Sequence, residues 1–243
     1  MKKILLVKCI IYLFISSFSL YTIAGVSLKQ TRVIFKATDK SKSVVIYNNS
    51  PNLYLAQSQI NLTLNNQKVD DSFIIIPPLV RVEPNLSSTV KILPQSLSHL
   101  PKDKESVFFI AIQLIPESKK INSQDKSEIN TEITVVTRFV IKLFYRPELL
   151  IEKSSSDFAD KLSFSVVNNK LVIKNPSPYF MSLSQLKLNG VLYSSPIPVM
   201  VPPLSEIALD NNEKVKDVSW QVIDDFGGYS SVYSQSLIEK NNR

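Results

Sequence analysis

Short runs of β-branched and aromatic residues recur along the chain, and Asn, Pro, Ser and Asp separate them. Apolar positions do not repeat at the three- to four-residue spacing of a long helix. The runs that predict strands are residues 43–47, 53–63, 73–76, 107–115, 133–145, 162–167, 170–174, 181–188 and 220–223. Short strands at this spacing, with turn residues between them, predict an all-β protein built from β-sandwiches.

The first predicted strand changes its apolar face part-way along. Val26 and Leu28 have one parity, and Val33 and Phe35 have the other. Since alternate side chains of a strand point to opposite faces, both pairs can point inward only if the strand kinks or changes sheet. We expect the chain to pass from one sheet of a sandwich to the other between residues 29 and 32.

The N-terminus is typical of a secretory signal peptide at residues 1–24. Three lysines lie within the first eight residues, an apolar stretch from Cys9 follows, and small residues precede a cleavage site after Ala24. The apolar stretch is short for a bilayer span, so we favour cleavage over an uncleaved membrane anchor. Cys9 is the only cysteine, so the mature protein would have no disulfide even in an oxidising compartment.

A domain boundary is predicted where the longest apolar run ends at Pro147. A charged, serine-rich segment follows at 148–160, and strand-like runs then resume. The boundary gives a first domain of residues 25–147 and a second of residues 148–243, both of a size that suits one sandwich. The polar segment 118–130 is predicted to be a long hairpin loop inside the first domain.

The charge and motif content argues against nucleic-acid binding and catalysis. The formal net charge is +7 for the whole chain and +4 without the three lysines of the signal peptide. No segment concentrates these charges with aromatic residues, as a nucleic-acid site requires. His99 is the only histidine, and the sequence contains no nucleophile elbow, zinc motif or phosphate loop. We therefore predict a protein that is not an enzyme and needs no metal or cofactor.

Two cations lie inside otherwise apolar strands. Arg32 precedes one apolar run, and Lys142 interrupts another. Such charges are unfavourable within a sheet unless they reach water or bind a partner. One interpretation is that both side chains extend to water at a sheet edge. The other is that two cations beside one cleft bind an anion, most simply a carboxylate.

Several short segments form a pattern that is more specific than any one of them. They are QTRVIF (30–35), PP (77–78) with RVEP (81–84), LPKDKESVFF (100–109), IKLFYRP (141–147), KNPSPY (174–179) and IDDFGG (223–228). Their order and spacing resemble the periplasmic chaperones of chaperone–usher pilus assembly across nearly the whole mature chain. The resemblance implies two immunoglobulin-like β-sandwich domains, set at an angle with a cleft between them.

The resemblance also implies that one strand of the chain completes a partner protein. Pilus subunits are sandwiches that lack their last strand, and a chaperone of this family donates one of its own edge strands. Here the donated strand would be 133–142, with Ile133, Val135, Thr137 and Phe139 pointing into the subunit. Thr137 is polar where the family usually has a bulky apolar residue. The alternative is that this segment is an ordinary buried strand of its own sandwich.

The same resemblance implies roles for two groups of charged residues. Arg32 and Lys142 match the pair that binds the C-terminal carboxylate of the subunit. Glu105, Arg146 and Asp225 match an ion network that joins the two domains and sets their orientation. Isolated surface ion pairs contribute little, so such a network must be buried or extended to have this effect.

The predicted function is that of a periplasmic chaperone that binds fimbrial subunits by donor-strand complementation and delivers them to an outer-membrane usher. The alternative is a secreted structural or adhesive sandwich protein, in which 133–139 is paired internally. An exposed apolar edge is an aggregation liability, so the chaperone hypothesis also predicts self-association through that strand when no subunit is present.

Overall fold

A computed structural model describes residues 25–64, 71–117, 135–210 and 214–237. The described residues form two β-sandwiches that follow each other along the chain. The first sandwich contains β1 (Val26–Leu28), β2 (Arg32–Lys36), β3 (Lys42–Asn48), β4 (Tyr54–Asn61), β5 (Phe73–Ile76), β6 (Leu79–Val82), β7 (Ser87–Pro94), β8 (Ser106–Pro116) and β9 (Thr137–Arg146). Its sheets have the orders β1-β3-β7-β5 and β2-β9-β8-β4-β6.

The second sandwich follows two short 3-10 helices, Glu148–Leu150 and Ser155–Lys161. Its strands are β10 (Ser163–Val167), β11 (Lys170–Asn175), β12 (Met181–Leu188), β13 (Val191–Leu192), β14 (Met200–Val201), β15 (Ser205–Asp210), β16 (Asp217–Val222) and β17 (Tyr233–Ser236). One sheet has the order β10-β11-β15, and the other has the order β13-β12-β16-β17 with β14 beside β12. The predicted fold, all-β with two immunoglobulin-like sandwiches, is confirmed.

Each sandwich has its own hydrophobic core between its two sheets. In the first core, the ring of Phe73 packs edge-on against Phe35 and Phe108, with ring centres 5.0 and 5.3 Å apart. In the second, Trp220 lies 4.5 Å from Phe164 between ring centres. The alternating apolar positions of the sequence supply these residues, because every second side chain of a strand faces the opposite sheet.

The predicted change of sheet at the start of the chain is confirmed. Strand β1 pairs with β3, with Leu28 opposite Ile46. Strand β2 pairs instead with β9 in the other sheet and runs parallel to it, with Arg32 opposite Lys142. The switch moves the apolar side chains of both segments into the same core, as their opposite parity requires.

Strand β9 is paired along its full length on one side only. On that side it runs antiparallel to β8 from Thr137 to Tyr145. On the other side β2 pairs only with Lys142 to Arg146. Within the described residues, the edge of β9 from Thr137 to Ile141 therefore has no neighbouring strand. This open edge of β9 ends where the cation pair begins.

Both sandwiches contain the same hydrogen-bonded corner at the end of one strand. Asn175 Nδ2 donates to the Tyr179 carbonyl at 2.7 Å, and its Oδ1 accepts from Ser177 N at 3.0 Å and Oγ at 2.7 Å. Asn48 and Ser50 repeat this arrangement in the first sandwich at 2.7, 3.1 and 2.8 Å. Each corner satisfies buried polar groups of the backbone without the help of a sheet.

The structure departs from the sequence analysis mainly between the predicted strands. The segment Ser87–Pro94 is an eight-residue strand that the sequence analysis did not predict. The charged segment 148–160 contains most of the two 3-10 helices, and Ser154 with Asp157 forms a capping box at the start of the second. The boundaries 25–147 and 148–243 stay a prediction, and the predicted loop 118–130 lies outside the described residues.

Candidate functional site

The two predicted clamp residues lie next to each other and extend toward the second sandwich. Arg32 and Lys142 are opposite partners in the parallel β2–β9 pair. Arg32 Nη1 donates to the Ile223 carbonyl at 3.0 Å, and Lys142 Nζ donates to Ser182 Oγ at 3.2 Å. Both contacts reach across from one sandwich to the other, so the second domain holds the cation pair in place.

The cation pair lies in a partly desolvated environment. Burial, and secondly the charge of Arg32, lower the pKa of Lys142 to about 8. Burial also lowers the pKa of Arg32, although nearby carboxylates, Asp225 foremost, act in the opposite direction. In the described part of the chain, neither cation belongs to a salt bridge, and Arg32 Nε is buried without a hydrogen-bond partner. Such a pair is suited to bind an anion.

The predicted donor residues differ in how freely they are available. Val135 is 72% exposed, Thr137 is exposed, and Phe139 is half-buried against the core of its own sandwich. Ile133 lies outside the described residues. From Ile141 onward the side chains of this parity are buried in the core. The apolar row of β9 thus continues from the core of the first sandwich into solvent along the open edge.

The three predicted network residues are in direct contact. Arg146 is 1% exposed, and its Nε donates to Glu105 Oε1 at 2.9 Å. Its two terminal nitrogens donate to Asp225 at 2.6 and 2.8 Å in a bidentate pair. Arg146 Nη1 also donates to the Lys153 carbonyl at 3.0 Å. One buried guanidinium thereby joins the first sandwich, the connecting segment and the second sandwich.

The charges of this network compensate each other in the interior. Burial alone lowers the pKa of Arg146, but the hydrogen bonds and charges of Asp225 and Glu105 outweigh it and raise that pKa. Burial raises the pKa of Glu105, although the positive charge of Arg146 acts to lower it. Glu105 Oε2 also accepts a hydrogen bond from the Phe180 amide at 2.9 Å, which adds a further bond between the sandwiches.

Sequence reasoning missed several residues that complete the interface between the sandwiches. Tyr179 lies under the guanidinium of Arg146, 5.1 Å from ring centre to Cζ, and its hydroxyl donates to the Leu150 carbonyl at 2.8 Å. Ser182 and the Ile223 carbonyl hold the cations. No local pattern distinguishes a serine such as Ser182 from the other serines of the chain, since its role depends on a contact across domains.

Metal ligands and the single histidine were the other candidates for chemistry in the sequence. The described residues contain no group of three or more His, Cys, Asp or Glu residues that could hold a metal ion. His99 is exposed, with its Nε2 3.4 Å from Ser72 Oγ. None of the helical segments among the described residues has the length and apolar character needed to cross a bilayer.

Two families of domains match the chain in sequence. Residues 25–150 match the family described as "Pili and flagellar-assembly chaperone, PapD N-terminal domain", and residues 157–234 match "Pili assembly chaperone PapD, C-terminal domain". Among individual proteins, the chain is 33% identical to Chaperone protein FimC of Escherichia coli O6:H1, over 84% of this chain and 81% of that protein. It is 31% identical to Chaperone protein PmfD of Proteus mirabilis, over 86% and 82%.

Solved structures are similar over most of the chain. A chain of the complex between the Salmonella enterica SafA pilin and the SafB chaperone superposes with a TM-score of 0.77 at 26% identity, covering 88% of this chain and 96% of that one. The E. coli chaperone DraB superposes with a TM-score of 0.73 at 27% identity, covering 88% and 97%. Both similarities extend over the two sandwiches together.

Proposed function

The chain belongs to the family of pilus-assembly chaperones, and we propose that it binds fimbrial subunits in the periplasm by adding the open edge of β9 to their incomplete sandwiches. The alternative of a secreted structural or adhesive protein is not favoured, because both matching domain families are described as pilus-assembly chaperones and the relatives FimC and PmfD are named as chaperone proteins. The observation that carries the proposal is the open edge of β9, which runs directly into a pair of cations without a carboxylate partner in the described residues.

The open edge provides the affinity in this proposal. An edge strand offers unpaired backbone N–H and C=O groups to any strand that adds to it. Every second side chain, from Ile133 through Val135 and Thr137 to Phe139, fills the groove where the subunit lacks a strand. Half-buried Phe139 connects that groove with the chaperone's own core. Thr137 leaves one position of this row polar.

In this proposal the cation pair fixes the position of the subunit's C-terminus. Arg32 and Lys142 bind the terminal carboxylate of the subunit, and each charge-assisted hydrogen bond contributes about 1.5–3 kcal/mol when partly desolvated. The ion network of Glu105, Arg146 and Asp225 keeps the second sandwich where Ser182 and the Ile223 carbonyl can hold the cations.

The remaining expectations concern the surroundings of the protein in the cell. We propose that residues 1–24 are a signal peptide cleaved after export, that residues 25–147 and 148–243 are the two domains, and that loaded subunits pass to an outer-membrane usher. Without a subunit, the open edge of β9 is expected to pair with a second copy of the chain.

Co-expression with a fimbrial subunit tests the proposal. A tagged subunit from the same gene cluster is co-expressed with the native chaperone, with Lys142→Met, with Arg32→Met and with Lys91→Met, and each complex is isolated from periplasm. Lys91 is an exposed strand lysine of the other sheet and serves as the matched control. Native protein and Lys91→Met should co-purify with the subunit, and the other two should not. Equal co-purification of all four folded proteins would contradict the proposal.

A further inference from the structure

The position of the cation pair determines the direction in which a subunit strand can be added to β9. The inference drawn from this direction rests on the proposed function. The edge of β9 is open only before Lys142, since β2 occupies it from Lys142 onward. A strand whose terminal carboxylate lies at Lys142 can therefore pair only with residues that precede Lys142, among them Thr137 to Ile141. Its C-terminus points in the same direction as that of β9, so the added strand runs parallel to β9.

Arg32 also restricts the register of that strand. Its Cα lies opposite Lys142, and a strand advances about 3.3 Å per residue. A terminal residue opposite Ile141 would bring its carboxylate against the backbone of Arg32. If the terminal residue of the added strand lies opposite Val140 instead, one residue length remains between it and the position opposite Lys142 that Arg32 occupies, and the carboxylate lies in that space. The third residue from the C-terminus then lies opposite Arg138, on the same face of the sheet.

Arg138 is a cation available at that position. It has the same parity as Lys142, so both lie on the face of β9 opposite to the core. It is exposed and belongs to none of the salt bridges among the described residues. In the amide orientation that satisfies its neighbours, buried Asn61 accepts a hydrogen bond from Arg138 Nη2 at 3.1 Å. A neutral amide is a weaker partner for a guanidinium than a carboxylate is.

We propose that Arg138 is a specificity-determining residue that contacts the third residue from the C-terminus of the subunit and favours an acidic side chain there. The neighbours of Arg138 across β8 and β4, Gln113 and Gln57, are polar, so this row of the sheet is suited to a polar side chain. A subunit with a cation at this position would place two like charges opposite each other on adjacent strands, which is unfavourable.

Synthetic peptides with a free carboxylate serve as the probe. Each is an acetylated ten-residue peptide of alternating Thr and Val that ends in Val-Thr, with a fluorescent label near its N-terminus. The peptides carry either Asp or Lys at the third residue from the C-terminus, or either Asp or Lys at the fourth. A fifth peptide is amidated at its C-terminus. Dissociation constants for the full mature chaperone, Arg138→Glu and the control Arg81→Glu are measured by fluorescence anisotropy.

The expected result is a preference that depends on Arg138 and on one peptide position. Native protein and Arg81→Glu should bind the peptide with Asp at the third residue about three- to five-fold more tightly than the one with Lys, as for a cross-strand ion pair. Arg138→Glu should reverse this preference. For the two peptides that differ at the fourth residue, the ratio of dissociation constants should be the same in all three proteins.

The outcomes separate this inference from the proposed function. Carboxylate-dependent binding in which Arg138→Glu leaves the third-residue preference unchanged would overturn the role of Arg138 and leave the proposed function standing. A reversal confined to the fourth residue would overturn the register. Equal binding of the amidated peptide, or no binding of any peptide, would contradict the proposed function and this inference together.

Discussion

Replacing Lys142 with methionine should stabilise the unloaded protein while removing its ability to bind a subunit. Burial lowers the pKa of Lys142 to about 8 from its ordinary 10.5, so the folded state disfavours the charged amine that the unfolded state accepts. Below about pH 8 the amine is charged in both states and the full penalty applies. Between about pH 8 and 10.5 the folded protein releases its proton first, so the penalty shrinks as the pH rises.

The size of the effect follows from the two pKa values. At about 1.4 kcal/mol for each pH unit between them, the penalty is about 3 kcal/mol at pH 7 and about 2 kcal/mol at pH 9. Methionine has a similar length and no charge, but it loses the hydrogen bond to Ser182, which subtracts about 1 kcal/mol. The variant Lys142→Met should therefore be more stable than the native protein by about 2 kcal/mol at pH 7 and about 1 kcal/mol at pH 9.

Urea unfolding of residues 25–243 at both pH values measures this difference. Tryptophan fluorescence reports the second sandwich, so circular dichroism is needed to follow the first, which contains Lys142. The control Lys91→Met, at an exposed strand position, should stay within about 0.5 kcal/mol of the native protein. A Lys142→Met variant that is less stable than the native protein at pH 7 would contradict this prediction, since it would mean that the charge of Lys142 supports the fold.

Three other substitutions test the structural part of the account. Asn175→Ala removes a buried amide that bonds several backbone groups and should reduce the free energy of unfolding by about 3 kcal/mol in urea titrations. Asp225→Asn breaks the bidentate pair with Arg146 and should increase the radius of gyration measured by X-ray scattering, with each sandwich still folded. Gln235→Ala removes two hydrogen bonds to the backbone of β10 and should destabilise the second sandwich by about 2 kcal/mol, measured by tryptophan fluorescence in urea.

Strands with a continuous apolar run or a long apolar alternation could be predicted from the sequence, and those with fewer apolar residues could not. The strands 73–76 and 181–188 have the predicted bounds. Strand Ser87–Pro94 was missed because only Val90 and Ile92 are buried in a segment that begins with serines and ends in proline. Its pairing with two neighbours, rather than its own composition, keeps it in the sheet.

The candidate site could be predicted only in part, because its geometry depends on contacts between distant segments. The parity change after Leu28 predicts the change of sheet that brings Arg32 beside Lys142. Nothing in the spacing along the chain relates Arg146 to Asp225, which are 79 residues apart; that association came from a family resemblance. The contact of Lys142 with Ser182 depends on how the two sandwiches meet, which local patterns do not encode.

Hydrogen exchange of the backbone amides in β9 shows whether a fimbrial subunit pairs with the open edge of this strand. The open edge of β9 between Thr137 and Ile141 has no strand beside it among the described residues, so its outward-facing amides should exchange quickly in the free protein at low concentration. Binding of a fimbrial subunit should slow their exchange at least about 100-fold, while amides of the edge strand β15 should exchange as before. Unchanged exchange in β9 within a tight complex would contradict this pairing, because the subunit would then be bound at another surface.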